Sequence, residues 1–217
     1  MKKFFKTSLF VLLLSIIFLF PTQGEATECI SLKDKLYTKS MADLQMAERR
    51  LWMDHVAWTR SFLISDLASL EDRDDVLERL LKNQDDIGNS IKPYYGEEAG
   101  NQLASLLREH ITTAGQVVNA AKSGSQEDFE KYNKLWYENA DKIADFLSSA
   151  NPNYSNKTLK DMLHKHLQLL TDAVVARLNK DWKADIKAYD EGEDHIIMLA
   201  DTLSDGIIKQ FPEKFKQ

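Results

Sequence analysis

Three histidines, His55, His110 and His166, recur at nearly equal intervals along the chain. Imidazole offers a neutral nitrogen to a transition metal, exchanges protons near neutral pH and hydrogen-bonds through both ring nitrogens. Each of the three lies on an apolar stripe. In RLWMDHVAWTR, residues 50–60, Leu51, His55 and Trp58 lead on to Phe62 at the i, i+4, i+7, i+11 spacing of one helix face. His110 falls in register with Leu103, Leu107, Ala114 and Val117, and His166 with Leu159, Leu163, Leu170 and Val174. Three further polar residues sit on neighbouring stripes: Asn83, Asn139 and Asp201.

The spacing gives these six residues a geometry. In an antiparallel helical hairpin, residues equally far from the turn lie at one height. The midpoint of His55 and Asn83 is Ser69, and that of His110 and Asn139 falls between Gly124 and Ser125. Both are turn-like stretches. The midpoint of His166 and Asp201 falls near Lys183. Each imidazole is therefore expected opposite a short amide or acid, about 20 Å from its turn at 1.5 Å per residue.

Three kinds of chemistry suit such a layer. A buried imidazole that leaves a nitrogen unpaired costs about 1–3 kcal/mol, so the pairs could simply fix which hairpin packs on which. Three histidines with one carboxylate could hold a divalent transition metal such as Zn, Mn or Fe. Aromatics near the layer, above all Trp58 and Trp136, could wall a pocket for a small organic ligand. The Glu-x-x-His pair of di-metal bundles does not recur, and His164 and His166, two apart, cannot chelate together on a helix.

The elements that must position the layer read as helix after helix, with no convincing strand alternation. The expected spans are 42–67, a second helix through Val76, Leu80 and Ile87 that ends before KPYYG, 97–122, a fourth from Ser125 to SANPNYSN, 157–178 and 181–210. Ser69 is placed to cap the second helix, Ser125 with Asp128 to form a capping box, and Gly192 to kink the sixth. Arg60 is placed to pair with Asp85 or Asp86. LLKNQDDIGNSI is similar to WYENADKIADFL, and SLLREHITTAGQVV to DMLHKHLQLLTDAV. The expected fold is an all-α up-down bundle of about six helices, built from three antiparallel hairpins with an internal repeat of about 55 residues.

The chain opens with MKKFFKTSLFVLLLSIIFLF, three lysines before an apolar run too short for a comfortable membrane span. A signal peptide over 1–26 is expected, cut near Thr27, with a lead-in segment over 27–41 and one bundle domain over 42–217. An uncleaved anchor is the alternative. Cys29, the single cysteine, follows Glu28 rather than the small residue that precedes a lipidated cysteine, and it allows no internal disulfide. The net charge of −6 and the lack of a basic cluster argue against a nucleic-acid partner. No glycine-rich phosphate loop, Gly-x-Ser-x-Gly turn or His-Glu-x-x-His helix occurs.

The segments LWMDHVAWTR, NQDDIGNSIKPYYG, LLREHI, WYENADKIADFLSSANP and DGIIKQFPEKF resemble a little-characterised family of small exported all-helical proteins of spore-forming Gram-positive bacteria. The resemblance covers nearly the whole mature chain. It implies a bacterial source and brings no defined catalytic set. Some members carry the labels acetylglutamate kinase or glycosyltransferase, which need nucleotide loops and an α/β alternation that this sequence lacks.

The function expected is that of an exported, secreted or cell-envelope binding protein without catalysis. Its His/Asn/Asp layer would hold a metal ion or small ligand, with no stable membrane span after signal cleavage. The alternative is a structural or protein-interaction domain whose layer only sets helix pairing, and an enzyme of unknown type comes third.

Overall fold

The computed structural model describes residues 37–216. The expected signal peptide, Cys29 and most of the lead-in segment lie outside them. Five helices follow: α1 Lys39–Leu67, α2 Arg73–Ser123, α3 Gln126–Ala150, α4 Asn156–Leu178 and α5 Trp182–Gln210, with a closing 3-10 turn, Pro212–Phe215. No strand occurs among the described residues, so the chain is all-α there. None of these helices is long and apolar enough to cross a membrane.

The ends follow from local chemistry. The side chains of Thr38, Ser125, Ser155 and Asp181 accept from the backbone N–H three residues on, at the starts of α1, α3, α4 and α5. Ser125 Oγ also donates to Asp128 Oδ2 at 3.0 Å, but the Ser125 N–H goes to Ala120 O, so only half of the expected capping box forms. Gly124 ends α2 at φ 73, a left-handed conformation that glycine adopts at little cost. Ser69 is not the cap of α2. Asp72 holds that position, while Ser69 takes φ 54 in the turn and accepts from Lys122 Nζ at 3.0 Å.

One long helical run, α2, covers the two helices expected on either side of KPYYG. The helix continues through Pro93 and breaks only at Gly96, where φ 87 and ψ 172 are open to glycine alone. The chain folds back there. A Cβ on Gly88 would lie 2.5 Å from the Gly100 carbonyl oxygen, and one on Gly100 would lie 2.6 Å from that of Gly88. Farther from the bend, Arg108 donates to Leu81 O at 3.3 Å and to Asp85 at 3.1 Å. Gly192, by contrast, neither kinks nor splits α5, which runs unbroken from Trp182 to Gln210.

The helices close into a ring: α1 packs on α2 and α5, α3 on α2 and α4, and α4 on α5. Inside lies one main apolar core, with Trp52, Ile87, Leu107, Ile143, Leu167 and Leu199 among its members. One ion cluster is also buried. Asp185, 2% exposed, is held by Arg60 and by Arg177, so Arg60 serves α5 rather than Asp85 or Asp86. Burial pushes the Asp185 carboxyl up, but the hydrogen bonds and charges of the two guanidiniums outweigh it and hold it low.

Candidate functional site

His55, His110 and His166 come together, each buried, around one small cavity of about 10 Å³ that Trp136 also lines. The ring closure brings this about, because it turns the buried stripes of α1, α2 and α4 toward a common interior. The His55 and His166 ring centroids are 5.5 Å apart.

His110 is fully engaged. The Trp136 indole N–H donates to its Nε2 at 3.1 Å, so that nitrogen is the acceptor and the proton belongs on Nδ1. Nδ1–H then donates to Asn139 Oδ1 at 2.8 Å. Asn139 in turn donates from Nδ2 to Leu106 O at 3.2 Å. Both ring nitrogens are matched, as deep burial demands.

A second regularity ties the same helices together. Asn83 Nδ2 donates to Leu51 O at 3.0 Å, four residues before His55. The bond from Asn139 ends four residues before His110. His195 Nε2–H donates to Met162 O at 2.7 Å, four residues before His166. Each bond reaches a carbonyl whose own helical N–H partner lies at the histidine, and each uses the second lone pair of that oxygen.

The sequence expectation fails at three points. Asp201 is not the partner of His166. It forms a two-pronged ion pair with Arg49 on α1, at 2.6 and 2.7 Å, on the partly exposed side of the bundle. The reason is the register: the turn between α4 and α5 is centred near residue 180, not 183, which puts His195 where Asp201 was expected. Asn83 lies fully buried but gives its oxygen to Gln84 Nε2 at 3.1 Å rather than to His55. Trp58 is a wall of a separate small core with Phe62, Leu80 and Ile111, under the Arg79 guanidinium, and does not line the histidine cavity. The aromatic beside His55 is Trp52, with centroids 5.9 Å apart.

Among the described residues, the buried His55 Nδ1 and His166 Nε2 have no hydrogen-bond partner, nor has the buried Thr59 hydroxyl. Next to His166 a second cavity of about 30 Å³ opens between α1, α4 and α5. Val56, Leu63 and Leu169 supply apolar walls, and the half-buried Arg60 and Tyr189 border it. Gly192 lines it as well, and a Cβ built there would meet nothing within 4 Å.

Burial governs the charge of the layer. Desolvation pushes His55 down to about 3, with the neighbouring His110 adding to the effect and Gln84 opposing it. It pushes His110 down to about 4 against the pull of Asn139 and Glu109. It holds His166 well below the usual imidazole range, reinforced by His55, His110 and His195. The layer is neutral at neutral pH, poorly matched to general acid–base catalysis there. Among the described residues, no three His, Cys, Asp or Glu side chains are arranged to hold a metal ion. The expected set of three histidines with Asp201 is broken by Trp136 and Asn139, which occupy His110, and by Arg49, which takes the carboxylate.

Compared with family models, with curated proteins and with solved structures, the chain matches none.

Proposed function

We propose that this chain is a non-catalytic binding domain that holds a small uncharged ligand against its histidine layer, in the cavity lined by Gly192. The observation that carries this reading is that His166 lines that cavity and its buried Nε2 has no partner. A buried ring nitrogen with nothing to bond costs about 1–3 kcal/mol, and a ligand bearing one N–H or O–H would recover it.

A threefold hairpin repeat supports the same assignment. Asn83, Asn139 and His195 follow His55, His110 and His166 at a nearly constant offset along the chain. On this register Gly192 corresponds to Trp136 in the preceding hairpin, just as His166 corresponds to His110. The indole that caps His110 has no counterpart in the third hairpin. A ligand of roughly two or three heavy atoms that carries a donor would supply the missing hydrogen bond. The acidic charge of the chain and the signal-like start suit an exported protein, in keeping with the family it resembles, and sequencing the N-terminus of secreted material tests the cut near Thr27.

The binding test uses methanol and formamide as probes, because about 30 Å³ admits roughly two or three heavy atoms, and reads the imidazole ¹⁵N signal of His166. Both should move that signal to saturation in the wild-type domain, and Gly192→Leu, which fills the void, should abolish the effect. Absence of binding to the wild type, or undiminished binding to Gly192→Leu, would remove the reading. The competing reading, in which the layer only sets helix pairing, draws on the three donations to carbonyls four residues before each histidine. It is the reading that remains if neither probe binds.

A further inference from the structure

Glu48 lies on the buried stripe of α1, two turns before His55, and is only 2% exposed. On the proposed hairpin register, on which this inference partly rests, its counterparts are Leu103 and Leu159, both in the core. An acid has thus been placed where the other two hairpins carry leucine. Burial pushes its carboxyl up, against neighbouring Ser90 and Trp52, which favour the ionised form. Its Oε1 has no hydrogen-bond partner, and neither has the Trp52 indole N–H.

A cavity of about 20 Å³ lies against this carboxyl. Trp52, Tyr95, Phe146 and Tyr154 give it aromatic faces, between aliphatic walls that include Ile87 and Leu203. No lysine, arginine or histidine lines it. The two tyrosine hydroxyls are already engaged. Tyr154 donates to Leu203 O at 2.6 Å; Tyr95 donates to Gln210 Oε1 at 2.8 Å and accepts from Asn151 at 2.9 Å. The Glu48 carboxyl oxygen is the acceptor left to meet a guest.

We infer that this cavity is a second binding site, distinct from the histidine layer, for a small ammonium-type cation no larger than methylammonium. A carboxylate supplies the counter-charge, and aromatic faces attract an organic cation through their quadrupoles. One carboxylate among apolar walls does not suit Ca²⁺ or Mg²⁺, which need several oxygen ligands. The volume admits one or two heavy atoms. Binding would ionise Glu48 and remove the cost of its isolation.

The test compares methylammonium chloride with sodium chloride and potassium chloride at equal ionic strength and pH 8, on the wild-type chain and on Glu48→Gln and Glu48→Leu. Glu48→Gln keeps the shape and removes the charge, and Glu48→Leu restores the residue of the other hairpins, so both should fold. Methylammonium should raise Tm of the wild type by several degrees and leave both variants unmoved. No rise in the wild type, an equal rise in either variant, or an equal rise with potassium would overturn the inference. Gly192→Leu should keep the methylammonium response while losing the methanol response of His166, so the two sites succeed or fail separately.

Discussion

Acidification from pH 7 to pH 5 should destabilise this domain through its histidines. His55, His110 and His166 are each held neutral in the folded chain, at about 3, at about 4 and well below the usual range. In the unfolded chain each returns to about 6.5. Below that value the unfolded state binds more protons, so stability is present above pH 6.5 and is lost as pH falls toward the folded values. At pH 5 the loss is about 2 kcal/mol per imidazole, hence roughly 6 kcal/mol for three, against a typical total of about 5–15 kcal/mol. Glu48 works in the opposite sense, because its raised carboxyl contributes stability at low pH and loses it as pH rises. The assay therefore compares slopes. Urea unfolding of the wild type and of His55→Leu at pH 7 and pH 5 isolates one imidazole and leaves Glu48 common to both. The variant should lose about 2 kcal/mol less than the wild type between those pH values, whatever its absolute stability. Equal losses in the two proteins would refute the claim that His55 is buried and neutral.

His110→Leu alone leaves the Trp136 N–H and Asn139 Oδ1 buried without partners, and should cost about 2–4 kcal/mol in urea unfolding. Adding Asn139→Leu should cost less than the sum of the single changes, a coupling of about 1 kcal/mol or more in a double-mutant cycle. Asp185→Asn strips the carboxylate from between Arg60 and Arg177. It should cost about 3 kcal/mol, the low end for a buried pair because both guanidiniums reach water. Gly206→Ala places a Cβ 1.8 Å from Tyr154 Cε1 and should lower stability by about 1–3 kcal/mol. Gly192→Ala meets nothing within 4 Å, and should instead raise it by about 0.5–1 kcal/mol.

The sequence could reveal the layer because its information is local and periodic. A histidine on an apolar stripe, a turn midway to an asparagine and a recurring interval between histidines are all visible along one chain. The His110–Asn139 bond is the pair that this pattern picks out correctly. The third pair escapes it for a nameable reason: an amide or acid was sought, whereas on the proposed register the counterpart of Asn139 is His195. Gln84 and Trp52, both near residues that drew attention, take contacts that one-dimensional spacing does not rank. Glu48 was hidden by Arg49 and Arg50, which make the segment look like a charged surface. The link between Arg60 and Asp185 depends on how α1 meets α5, which no local pattern encodes. The fold-back at Gly96 was expected at Pro93 because proline discourages helix in the residue before it, yet the backbone carries the helix through and takes its one non-helical conformation at the glycine.

The central claim is that His166, which lines the cavity beside Gly192, keeps a ring nitrogen without a partner, while His110 is locked between Trp136 and Asn139. Imidazole ¹⁵N NMR during a methanol titration at pH 7 tests it most directly. The account predicts a neutral His110 protonated at Nδ1 and unmoved by methanol, with the Nε2 signal of His166 shifting to saturation. A His166 signal indifferent to methanol, or a His110 ring that titrates near pH 6.5 in the folded protein, would contradict it.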